Sequence, residues 1–110
     1  MTELPDGMRV ENWTAHEVLL LDPATKEQWR IPMEQRAPLR LNTKRERLGR
    51  FLQRVTFEEP AYEPVPQPGV MLIVSSPVKL ALSYRDDLVT PNDLVRGVGG
   101  NVVACKGFAL

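Results

Sequence analysis

The chain has 110 residues, 43% of them hydrophobic and 25% charged, the size and make-up of one globular domain whose core can form without a metal or a disulfide. Its 14 Lys and Arg residues balance 14 Asp and Glu residues. That balance argues against a general binder of long nucleic acid, which needs a basic excess, but leaves room for a small phosphorylated ligand held by two or three local cations.

In chain order, residues 1–10 are polar and acidic, unlike a signal peptide, and read as a loose arm. The apolar run from Glu17 to Asp22 predicts a strand. Pro23 to Lys26 predict a turn, and Gln28 to Ile31 a return strand that Pro32 stops. Arg36 to Leu41 alternate apolar and polar residues, the pattern of a half-buried strand. The polar, basic stretch from Asn42 to Gly49 reads as an exposed loop, and Arg50 to Phe57 as a further strand.

Residues 58–69 hold four prolines. Each fixes its own backbone angle and lacks an N–H donor, so this segment is an extended connector within the domain. Val70 to Val74 is apolar on both faces and predicts a central strand. With Gly69 it forms the longest apolar run, far too short to span a bilayer, and a cytoplasmic location in the host cell is expected. Ser75 to Leu82 predict a helix with Ser76 as N-cap and Pro77 at the first helical position. Tyr84 to Val89 lead away from it. Asp93–Arg96 and Asn101–Phe108 flank Gly97-Val-Gly-Gly100 and predict a hairpin. The expected fold is α+β: one domain over residues 1–110, with a small mixed, mainly antiparallel sheet and one or two short helices.

Few residues suggest catalysis. His16 is the single histidine and Cys105 the single cysteine, which excludes an intramolecular disulfide. No Cys/His set has zinc spacing. Cys105 lies among apolar neighbours and reads as a small core residue; His16 reads as an ordered side chain bonding a nearby turn. Asp86-Asp87 beside Arg85 suits either turn chemistry with an ion pair or an acid that takes a ligand's hydroxyl or amino hydrogens. Gly97 to Gly100 lack the lysine and following helix of a phosphate loop. The Ser75-Ser76 junction offers two hydroxyls at a helix start and suits an anion. Arg36, Arg40, Arg45, Arg47, Arg50 and Arg54 crowd the middle of the chain, while Arg85 and Arg96 follow the central strand and helix. Arginine is preferred over lysine where phosphate is held bidentately. No catalytic residue, cofactor or metal is assigned.

Three motifs carry a family resemblance. Asn12-x-Thr14-x-His16 precedes an apolar strand. Pro68-Gly-Val-Met-Leu-Ile-Val-Ser75 runs into an apolar helix, followed by Arg85-Asp-Asp-Leu-Val89-x-Pro91. The chain closes on Val95-Arg96 and then Gly100-Asn-Val-Val-Ala-Cys-Lys-Gly107. In this order they resemble a family of small phage and prophage proteins, similar to the anti-defence sponges that inhibit Thoeris immunity. The resemblance implies an oligomeric, non-catalytic protein that binds and sequesters cyclic nucleotide signals, such as cyclic ADP-ribose isomers or cyclic oligonucleotides. It implies ligand contacts from Arg85 and Arg96 to phosphate, and from Asp86 and Asn92 to ribose hydroxyls or a base edge. Ala15 departs from the family's usual proline, and Gly97-Val98 from an acidic pair.

Two other readings compete. One is a docking module that inhibits a protein partner through the proline-punctuated strip from Tyr62 to Pro68. The other is an enzyme that cleaves a nucleotide linkage with His16 or Asp86 as acid or base. The sponge reading ranks first, with a small phosphorylated signal and further copies of the chain as expected partners, and neither membrane nor long nucleic acid among them.

Overall fold

The computed structural model describes residues 1–34, 38–60 and 62–110. The chain runs β1 (Thr2–Glu3), β2 (Arg9–Asn12), β3 (Val18–Leu21), β4 (Gln28–Ile31), β5 (Asn42–Gly49), β6 (Leu52–Glu58), β7 (Val70–Ile73), α1 (Ser76–Ala81), β8 (Leu88–Arg96) and β9 (Val102–Ala109). It is mostly strand, with one six-residue helix among the described residues, so the α+β expectation holds only in its coarse sense of a mixed sheet beside a short helix.

Seven strands form a sheet in the order β1-β2-β7-β8-β9-β3-β4. β2, β7 and β8 are mutually parallel, as are β9 and β3, whereas β1/β2, β8/β9 and β3/β4 are antiparallel. β8 turns the corner of the sheet. Its first residues, Leu88 and Val89, pair with β7, and from Thr90 onward it pairs with β9. The far edge then returns to the near one, because Asn12 at the end of β2 bridges Met33 just past β4. That contact brings the sheet close to a closed barrel.

Alternation along the strands sorts side chains to two cores. Ile73 and Val89 point inward with Val10, Val18, Leu20, Ile31 and Cys105, and Met71, Trp29 and Phe108 pack at their margin. Val70, Leu72, Val74 and Leu88 point outward, where Val78 and Leu82 of α1, together with Trp13 and Leu39, cover them. β7 is thus buried on both faces, as its unbroken apolar run predicts. Burying Val78 and Leu82 stabilises the helix's seat by roughly 1.5–3 kcal/mol each, more than a helix of this length could supply from its own hydrogen bonds.

Several expectations are corrected. The first residues are not a loose arm. β1 pairs with β2, and Val10 is fully buried, because the apolar side chains Leu4, Met8 and Val10 alternate with polar ones and face the core. Asn42–Gly49 is not a loop but β5, which pairs with β6 as a separate two-stranded ribbon. Its polar composition reflects a strand with no buried face rather than the absence of a strand. Residues 38–41 are not a strand, and the remainder of that expected element, with Arg36, lies outside the described residues. The N-cap is Ser75 rather than Ser76, one residue earlier than expected.

The proline-rich connector is tied down along its length. Arg85 Nη1 donates to the Pro64 carbonyl at 2.8 Å, Gln67 Nε2 to Glu11 Oε1 at 3.1 Å, and Arg9 Nη2 to the Pro68 carbonyl at 3.3 Å. Gly69 then turns the chain into β7 at φ +75°, and a Cβ there would come within 2.5 Å of the Arg9 guanidinium, so only glycine fits.

Candidate functional site

The first motif is a clamp on the barrel seam. Asn12, 1% exposed, donates through Nδ2 to the His16 carbonyl at 2.9 Å and the Ile31 carbonyl at 3.0 Å. Its Oδ1 accepts from the Thr14 N–H at 3.0 Å and the Thr14 hydroxyl at 2.6 Å. Every hydrogen-bonding capacity of the amide is used in one direction or the other. The Asn12 carbonyl also accepts from the Glu34 N–H at 2.9 Å. The spacing Asn-x-Thr-x-His therefore shapes a tight loop and lays it beside the start of α1.

That loop, the start of α1 and the middle of β8 enclose a cleft of about 500 Å³. Thr14, His16, Ser75, Ser76 and Thr90 give it hydroxyls and an imidazole, Arg40 gives it a cation, and Leu39, Val74, Leu94 and Val102 give it an apolar lining. His16 Nδ1 lies 3.3 Å from the neighbouring Glu17 carbonyl, a long contact that leaves the ring available to the cleft. Neither serine hydroxyl caps the helix, since Ser75 makes no side-chain bond to it. The cleft is of the size and mixed polarity of a small-molecule site.

The residues singled out from the sequence are distributed unevenly. Ser75 and Ser76 line the cleft. Arg85, expected to hold phosphate, is instead committed inside the fold. Its Nε and Nη2 donate to the two Asp87 carboxylate oxygens at 2.8 and 2.6 Å, and Nη1 to Pro64 and, at 3.5 Å, Glu63. The side chain is 6% exposed. The Arg85 hydrogen bonds hold the Asp87 carboxyl below its ordinary range, against the opposing effect of burial. In turn, Asp87 raises the Arg85 guanidinium further above neutrality. Glu63 also accepts from the Tyr84 hydroxyl at 2.6 Å, and that bond raises the phenol's pKa.

Asp86 lines a separate shallow groove beside the connector, with Pro66 to Met71. Asn92 is exposed midway along the β8–β9 hairpin, opposite Gly107. Arg96 is exposed at the far end, where Nη1 donates to the Gly100 carbonyl at 2.9 Å. Arg85 precedes β8 and Arg96 ends it, so roughly 30 Å of extended strand separates them at about 3.3 Å per residue. They do not converge in one chain.

Arg40 and Thr90 belong to the cleft without having been marked by any motif. Arg40 follows Leu39, whose buried side chain and N–H bond to the Trp13 carbonyl at 3.0 Å fix the segment in place. Six arginines in one region of sequence carry no sign of which one a buried neighbour will anchor. Cys105 lies in the barrel core, where burial raises its thiol pKa and keeps it protonated. No helix is long and apolar enough to cross a membrane among the described residues. No known protein family, curated protein or solved structure matches the chain.

Proposed function

We propose that the cleft between the Asn12–His16 loop, α1 and β8 binds a small phosphorylated signal of the cyclic nucleotide class and sequesters it uncleaved. The observation that carries this reading is the cleft's make-up: one arginine, an imidazole and four hydroxyls beside apolar side chains. Arginine and hydroxyls suit phosphate and ribose oxygens, and the half-exposed Leu94 and Val102 suit a base. The motifs that resemble the anti-defence sponges contribute to this place in part, since Thr14, His16, Ser75 and Pro91 all line it. In this reading Arg40 takes the phosphate-holding role that the resemblance gives to Arg85. Arg96, Asn92 and Asp86 would reach a ligand only if a second copy brings them to it.

The test is a thermal-shift panel of cyclic ADP-ribose isomers and cyclic oligonucleotides, followed by mass analysis of the molecule released on denaturation. A ligand at about 100 times its Kd raises stability by roughly 2.7 kcal/mol, a shift on the order of 10 °C for a chain this size. The expected result is such a shift, intact ligand on release, and loss of most of the shift in Arg40→Ala. A panel without any shift, or a ligand released cleaved, overturns the reading.

A second reading, a module that docks on a protein, draws on a different element from the one first expected. The strip from Tyr62 to Pro68 is tied to the body through Arg85, Gln67 and the Tyr62–Trp13 ring contact, with centroids 6.1 Å apart, while its residues other than Pro64 stay exposed. The β5–β6 ribbon, exposed on every residue, is the surface that favours docking.

A further inference from the structure

The ribbon is a projecting arm with no evident use in the single chain. Asn42 pairs with Glu58 at its base and Gly49 with Leu52 at its tip. Every residue of both strands is exposed. A two-stranded hairpin without a covered face is at best marginally stable in water. This one nevertheless presents Leu48, Leu52, Val55 and Phe57 to solvent, and Phe51 at its tip is 90% exposed with the Arg50 guanidinium 5.1 Å from its ring centre. Such a cluster marks an interaction surface.

Charge indicates its partner. Residues 42–58 hold five cations (Lys44, Arg45, Arg47, Arg50 and Arg54) and two carboxylates, Glu46 and Glu58, for a net +3. The whole chain is neutral, so the rest of it carries −3. The body also offers a receptor. One open end of the barrel forms an apolar cavity of about 490 Å³ walled by Leu20, Trp29, Met71 and Phe108, where Asp6 and Asp22 stand against Lys106, the one cation there among the described residues. The Trp29 indole N–H is buried there without an acceptor among the described residues. An apolar cavity with carboxylates at its edge complements a tip made of phenylalanine, leucines and arginine.

We infer that the arm of one copy docks on the body of a second copy, with Phe51 entering the barrel's apolar mouth and Arg50 meeting Asp6 and Asp22. The contact runs from arm to mouth, so it closes as a reciprocal pair or a ring where the rotation returns to the first copy and otherwise grows as an open filament. It stands independently of what the cleft binds. Nucleic acid, whose single strands also stack bases on aromatics among basic residues, is an outcome of the test.

The test is sedimentation velocity on the full chain from about 1 μM to about 1 mM, with Trp emission followed over the same range. Wild type is expected to assemble, with emission changing as Trp29 is covered. Phe51→Asp and Arg50→Glu are expected to weaken assembly by about tenfold or more. Both sites are exposed and outside the core, so circular dichroism should show the fold intact. Asp22→Arg should weaken assembly equally, and Arg50→Glu combined with Asp22→Arg should restore a large part of it. A wild type that stays monomeric overturns the inference, as does an assembly indifferent to Phe51→Asp. A DNA duplex bound by the monomer and released by the same substitution also overturns it, and assigns the arm to nucleic acid.

Discussion

Asn12 shows how much one amide can carry. Replacing it with alanine removes the amide from the Ile31 carbonyl and the Thr14 N–H and leaves the His16 carbonyl to the Thr14 hydroxyl alone, at a seam with one bridge among the described residues. Each buried group left unpaired costs about 1–3 kcal/mol. Asn12→Ala should therefore lower unfolding free energy by roughly 2–4 kcal/mol, read as a shift in the urea midpoint at unchanged m-value. A shift smaller than about 1 kcal/mol would mean the seam is held by something else. The Arg85–Asp87 pair makes a prediction about pH. The folded Asp87 carboxyl titrates below its unfolded value, so its stabilisation is present above about pH 4, the unfolded range, and lost as pH falls through the lower folded value. Asp87→Asn should cost about 3 kcal/mol at neutral pH by leaving Arg85 short of a partner, and should flatten the acid limb of the stability curve. Acid limbs that fall in parallel would remove Asp87 from that role. The sequence announced both places, as Asn-x-Thr-x-His and Arg-Asp-Asp, but not what they are for. A motif records that residues act together, and here Asn12, Arg85 and Asp87 act on the fold's own backbone.

Among the elements, most of those that bury a face were legible, β2 excepted. β7, β3, β4, β9 and α1 follow from apolar runs or turn chemistry, with ends shifted by a residue or so, while β8 begins five residues before the strand expected at Asp93. The helix depends on its packed side: Leu82→Ala, at a position 1% exposed, should cost about 2–4 kcal/mol in chemical denaturation. β5 was illegible because its residues are almost all polar, whereas the equally exposed β6 carries Leu52, Val55 and Phe57 and reads as a strand. That exposure predicts the ribbon's behaviour. Backbone amides of residues 42–58 should exchange with solvent far faster than those of β7 in a hydrogen-exchange experiment at low protein concentration. Excising the arm, by joining Asn42 to the facing Glu58 through a short turn, should change stability by less than about 1 kcal/mol. A larger loss would mean the arm supports the body it leaves.

At the scale of the whole molecule, strand order was beyond reach of the sequence. β2 pairs with β7 across most of the chain, and β3 with β9 across more of it; nothing in either segment names its partner. Such distant pairings must close long loops before they gain hydrogen bonds, so refolding from urea should take milliseconds to seconds, and a relaxation in microseconds would contradict this topology. The extents of 52 × 38 × 23 Å and the radius of gyration of 15.9 Å, against roughly 13 Å for a compact chain of this length, record the arm's reach. Both legs of that arm are fastened at one place: Leu39 hydrogen bonds to the Trp13 carbonyl, Tyr62 lies against the Trp13 ring, and the ring's N–H is held by Glu11 at 2.9 Å. Trp13 therefore works as a cable clamp. A pull on the arm would be arrested at the indole before it reached β7, and Arg40, on the arm's side of Leu39, would carry the ribbon's movement into the cleft.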